Sequence, residues 1–172
     1  MPLLNKNIVL IGMPGSGKTT VGKLLAKEMN LSFIDMDEEI VKNEGRSIAE
    51  IFSKEGENYF RQIECMTLQS ILKSNEHCIL STGGGVPCFF DNMDFINEHA
   101  LSIFIDETVA ELVARMGQME VSKRPKLHSD SQNVNDILEE LFQKRKPFYE
   151  RAVISWSSKE GLQNLIEKIK KG

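Results

Sequence analysis

Four positions in the stretch "IVLIGMPGSGKTTVGKLL", residues 8–25, have the types and spacing that hold a phosphate group. Gly12, Gly17, Lys18 and Thr19 fit G-x-x-x-x-G-K-[ST]. Glycines let backbone N–H groups turn toward an anion at a helix N-terminus, a lysine carries positive charge to the β- and γ-phosphates of a nucleotide, and a threonine hydroxyl is a hard oxygen ligand for Mg²⁺. Pro14, Gly15, Ser16 and Thr20 complete the loop and are expected to border the same nucleotide. The alternative, an ordinary glycine-rich turn, is weakened by context: the motif follows an apolar strand-like run and opens a helical pattern, as its mechanism requires.

Two further clusters carry chemistry. "FIDMDEEI" holds Asp35 and Asp37 on either side of Met36, and in extended chain residues two apart point to the same side, so both carboxylates are expected to face one site. The other reading of Asp37 is an N-cap for the helix that follows. "ILSTGGGVP" ends an apolar run with Gly83, Gly84 and Gly85, where three glycines expose N–H groups to a ligand; a flexible turn is the alternative if the triplet is considered alone.

The elements that must position these residues read as alternating strands and helices, which gives an α/β class with a five-stranded parallel sheet flanked by helices. Strands are expected at 7–12, 32–35, 77–82, 101–105 and 152–156, and a helix at 18–29. Ser47 and Glu50 have capping-box spacing, and Phe60, Ile63, Thr67 and Ile71 recur at helical spacing within 57–73. Residues 116–132, "MGQMEVSKRPKLHSDSQ", lack clear periodicity and are expected to form a mobile surface loop. In an open parallel sheet, ligands bind beyond the carboxyl ends of the strands, and Gly12, Asp35 and Gly83 each mark such an end. A phosphate cradle, a carboxylate pair and a rim of N–H donors on one edge suit transfer of a phosphoryl group from a nucleotide to a small hydroxylated acceptor.

Composition is consistent with that reading. The 172 residues suit one domain, 1–172, and 41% apolar with 27% charged residues is ordinary for a folded protein. No run approaches the roughly 18 apolar residues of a membrane span, and "MPLLNKNIVLIG" has neither a basic leader nor a small-residue cleavage site, so a cytoplasmic protein with no membrane partner is expected. A net charge of −4 offers no general attraction to nucleic acid, although residues 115–151 hold eight Lys or Arg against six Asp or Glu, which suits an anionic ligand. Cys65, Cys78 and Cys88 lack metal-type spacing, and Cys78 lies in an apolar run.

The string "FIDMDEEIVKNEGRSIAEIFSKEGENYFRQIE", followed by "STGGG", "KRPKL" and "RKPFYERA", resembles shikimate kinase, and with the phosphate loop these blocks spread over residues 8–152. The resemblance implies a three-layer P-loop kinase fold with substrate-binding helices at about 36–73 and a mobile lid at about 116–132. It implies ATP and shikimate as small-molecule substrates, Mg²⁺ as the cofactor, and a monomer. By similarity Asp37 holds the acceptor hydroxyls and acts as the base, while Asp35 stands in the outer shell of the Mg²⁺ bound by Thr19. Arg61 and Arg145 match the arginines that grip the substrate carboxylate, and Gly83, Gly84 and Gly85 match the substrate-binding triplet. Arg124 matches the lid arginine that closes on the phosphates, so Lys18, Asp37 and Arg124 form the expected catalytic set. Arg115 lies where the family places an arginine against the adenine.

The chemistry agrees with those residue types: an arginine fork binds a carboxylate through two parallel hydrogen bonds, and phosphoryl transfer needs cations that spread charge on the equatorial oxygens. Three departures stand out. Pro14 occupies a position that is more often glycine, the lid reads "RPKL" where "RPLL" is common, and "AVISWSSKEGLQNLIEKIKKG" lacks the acidic residue common after the last strand. Gluconate kinase and nucleoside monophosphate kinases share the loop and a lid, but the Asp-x-Asp, "GENYFRQIE" and glycine-triplet blocks argue against them. A nucleotide-dependent switch would carry Asn-Lys-x-Asp after a late strand, and none occurs there.

Overall fold

The computed structural model describes residues 6–74, 77–116 and 134–171. Apolar runs become strands: β1 (Asn7–Ile11), β3 (Cys78–Ser81) and β4 (Ala100–Ile105) are buried at every position, as expected for strands covered on both faces. With β2 (Ser32–Asp35) and β5 (Ile154–Trp156) they form one five-stranded sheet in the order β2-β3-β1-β4-β5, with every pairing parallel. Ile8 pairs with both Ile79 and Leu101, which fixes β1 at the centre.

Alternation along β1 divides the interior into two layers. Ile8 and Leu10 face a cluster with Val21, Leu25, Leu165 and Ile169, supplied by α1 (Lys18–Met29) and α7 (Leu162–Lys171). Val9 and Ile11 face the larger cluster. It is built from α2 (Met36–Glu44), α3 (Ile48–Lys73), α4 (Asn92–His99), α5 (Val109–Met116) and α6 (Val134–Tyr149). The chain leaves β1 toward β2 and later crosses from β3 to β4, so the topological switch falls at the carboxyl end of β1.

Local signals set several element boundaries. Gly17 caps α1 at φ 93°, a left-handed conformation that a side chain would strain. Ser47 Oγ accepts the Glu50 N–H at 3.2 Å while Glu50 accepts the Ser47 N–H at 2.8 Å, which is the expected capping box opening α3. That helix is longer than the periodicity over 57–73 indicates, with a break in helical geometry at Gly56, φ 83°. The expected fifth strand at 152–156 is shorter, because Ala152 donates to Tyr149 O and still belongs to the turn that closes α6. The expected lid at 116–132 lies outside the described residues except for Met116, the last residue of α5.

Candidate active site

A cleft of about 840 Å³ opens at the carboxyl ends of β1, β2 and β3. Its walls include Pro14 to Thr20 of the phosphate loop, Asp35, Asp37, Arg61, the triplet Gly83–Gly85, Arg115 and Arg145. Of the sequence-predicted site residues, Gly12 lies behind the wall, and Arg124 is outside the described residues.

Lys18 is buried at 8% exposure, and its ammonium donates to the carbonyls of Gly12 and Met13, each at 2.8 Å. The charge therefore sits on the loop at the N-terminus of α1, beside the N–H groups that favour an anion. Thr19 Oγ1 donates to Asp35 Oδ2 at 2.9 Å.

Asp35 and Asp37 reach the cleft by a route different from the extended pair expected. The strand ends at Asp35, whose Oδ1 accepts the N–H groups of Asp37 (3.0 Å) and Glu38 (3.3 Å) and caps α2. The capping role considered for Asp37 thus belongs to Asp35, which leaves Asp37 on the first turn of the helix. A helix displaces residues two apart to different faces, but the turn itself points Asp37 toward β3. Its Oδ1 lies 3.4 Å from where a Cβ on Gly83 would stand.

On the β3 side, two guanidinium groups converge on the glycine triplet. A Cβ on Gly85 would stand 2.5 Å from Arg61 Nη1, and one on Gly84 would stand 2.8 Å from Arg145 Nη1, so side chains at these two positions would collide with the two arginines. Arg61 stacks 4.2 Å from the Phe89 ring centroid and donates to Glu64 at 2.6 Å and Glu57 at 3.1 Å. Arg145, at 7% exposure, has a buried Nη1 with no hydrogen-bond partner among the described residues. Burial pushes the Tyr149 phenol pKa up, and its hydroxyl donates to Gly84 O at 2.6 Å, which holds the triplet in place.

Glu64 was not legible as a site residue, although its place three residues after Arg61 is ion-pair spacing on a helix. It is 2% exposed, and burial pushes its pKa to about 7, with the Arg61 charge pulling back the other way. On the β4–β5 side, Arg115 Nη1 donates to Ser16 O at 2.8 Å, and its Nη2 donates to Glu107 and Ser158. No sequence signal connects Glu107 or Ser158 to the site, because eight residues from Glu107 to Arg115 is not a helical pair spacing and Ser158 lies in a separate element after β5.

The Thr19 hydroxyl and the Asp35 carboxylate are hard oxygen donors, the chemistry Mg²⁺ prefers. The described residues include no group of three or more His, Cys, Asp or Glu able to cage a metal. That donor set fits an ion that takes one or two protein oxygens and completes its shell with phosphates and water. No helix among the described residues is long and apolar enough to cross a membrane.

The shikimate kinase family model matches residues 14–171. A shikimate kinase of Parabacteroides distasonis is 39% identical over 158 residues, covering 91% of this chain and 90% of that protein. Among solved structures, shikimate kinase from Bacteroides thetaiotaomicron superposes with a TM-score of 0.87 at 31% identity, covering 96% of this chain and 98% of that one. The Acinetobacter baumannii shikimate kinase in complex with shikimate gives 0.88 at 30% identity, covering 96% and 93%. A parallel sheet carrying a phosphate loop at its switch point, together with likeness over nearly the whole length, gives one conclusion: the chain belongs to the shikimate kinase family.

Proposed function

We propose that this protein transfers the γ-phosphoryl group of ATP to the 3-hydroxyl of shikimate, giving ADP and shikimate 3-phosphate, a step in the formation of aromatic amino acids. The observation that carries the reading is Arg145 Nη1, a buried donor without an acceptor among the described residues, beside Arg61 and the glycine triplet in the same cleft as the phosphate loop. A buried guanidinium edge is costly unless an anion meets it, and a planar carboxylate fits between two such forks.

In this reading Arg61 and Arg145 hold the acid, and Gly83–Gly85 allow its ring to approach the backbone. The carboxylate of Asp37 receives the proton of the attacking hydroxyl as that oxygen bonds to the γ-phosphorus and the bond to the ADP oxygen breaks. Lys18 shifts its ammonium from the loop carbonyls toward the transferring group, where its charge stabilises the transition state more than the ground state. Thr19, with Asp35 behind it, would hold Mg²⁺, which would supply positive charge to the nucleotide phosphates. Arg124, assigned by similarity, adds a cation from the lid, so Arg124→Ala lowers turnover more than it lowers acid binding.

A coupled assay with ATP, Mg²⁺ and a panel of shikimate, gluconate and nucleoside monophosphates tests the reading. ADP release is expected with shikimate. Preferential release with gluconate or a nucleotide would overturn it.

A further inference from the structure

Glu107 stands just beyond β4 and does not line the cleft, yet its side chain is fully enclosed. Its two oxygens serve different segments: Oε1 accepts the Ser158 backbone N–H at 2.6 Å, and Oε2 accepts Arg115 Nη2 at 3.2 Å. The same Nη2 donates to Ser158 Oγ at 3.1 Å, while Nη1 donates to Ser16 O at 2.8 Å. One buried carboxylate thus ties α5 and the turn after β5 to the phosphate loop.

Enclosing a carboxylate is unfavourable unless charge and hydrogen bonds compensate it, so a residue needed only to close a turn would not require one. The charge is matched by Arg115, whose guanidinium, with Ser158, forms the wall of the cleft on the β4–β5 side, away from the Arg61–Arg145 pair. We propose that Glu107 is a positioning residue for the nucleotide: its carboxylate fixes the Arg115 guanidinium and Ser158 beside the phosphate loop and so sets ATP affinity without touching ATP. The proposal rests on the kinase reading above.

The test uses the full chain and measures binding of ATP and of shikimate separately by calorimetry. Glu107→Gln keeps the shape but replaces one acceptor with an amide donor facing a donor, and it is expected to raise the Kd for ATP about tenfold while changing that for shikimate less than about twofold. Arg115→Ala is expected to weaken ATP equally, and the double variant no further, since Glu107 acts through Arg115. Glu107→Asp retains the charge with a shorter reach and is expected to fall between; it serves as the test if the glutamine variant does not fold. Unchanged ATP affinity, equal losses for both ligands, or additive losses in the double variant would overturn the proposal. Absence of ATP binding by the unaltered protein would instead overturn the kinase reading, so the two failures are distinguishable.

Discussion

Arg61 Nη1 donates to Glu64 Oε2 at 2.6 Å, with both side chains almost wholly buried beside the glycine triplet, whereas Arg145 across the triplet leaves its Nη1 without a partner among the described residues. Two arginines assigned the same ligand therefore carry different structural burdens. Arg145→Leu is expected to weaken shikimate binding about a hundredfold and to leave the unfolding free energy little changed, because it removes a buried guanidinium whose Nη1 has no acceptor among the described residues. Arg61→Leu should weaken shikimate to a similar degree and also lower stability by about 3 kcal/mol at pH 8, since it strands Glu64. Calorimetry and urea unfolding on both variants check this; equal stability changes would refute the asymmetry.

Glu64 makes stability depend on pH. Burial raises its pKa from 4.5 to about 7, so between those values the folded state holds a proton that the unfolded state has released. Stability therefore falls as pH rises through that window, by roughly 3 kcal/mol if the whole shift is expressed. Glu64→Gln should flatten the slope of unfolding free energy between pH 5 and 8. A slope identical to that of the unaltered protein would show that Glu64 is ionised throughout.

Lys18 is built into the loop it serves, through its two bonds to the carbonyls of Gly12 and Met13. Lys18→Ala is expected to reduce turnover by about two to three orders of magnitude, the size found when a preorganised charge or donor is removed from a transition state. A modest loss of stability should accompany it, because two carbonyl contacts disappear. Circular dichroism and the coupled assay measure both effects, and substantial turnover in the folded variant would count against the phosphate-loop assignment.

Gly85→Ala tests the close approach of backbone and guanidinium. The added Cβ would fall 2.5 Å from Arg61 Nη1 and 2.8 Å from its Cζ, so the guanidinium must shift from its present place. The KM for shikimate is expected to rise by about tenfold or more, with little change in that for ATP, since the phosphate loop is untouched. Steady-state kinetics with each substrate varied in turn decides it.

Information that lies within a few residues was legible in the sequence. The phosphate loop, the buried strand runs and the Ser47–Glu50 box depend on local backbone geometry and short spacing, and each stands where its pattern indicated. The family blocks extended that reading to Asp37, Arg61 and Arg145. The local pattern placed Asp35 and Asp37 on one site, where both line the cleft, but not the geometry, because an extended pair and a strand ending in its own helix cap look alike until the helix start at Met36 is known. Only the tertiary structure decided that Glu64 is enclosed with a raised pKa, that Arg145 Nη1 faces Gly84 without an acceptor among the described residues, and that Glu107 joins Arg115 to Ser158. The physical reason is that burial, and the pairing of charges from separate strands and helices, follows from the order β2-β3-β1-β4-β5 and the packing upon it, which no local stretch encodes.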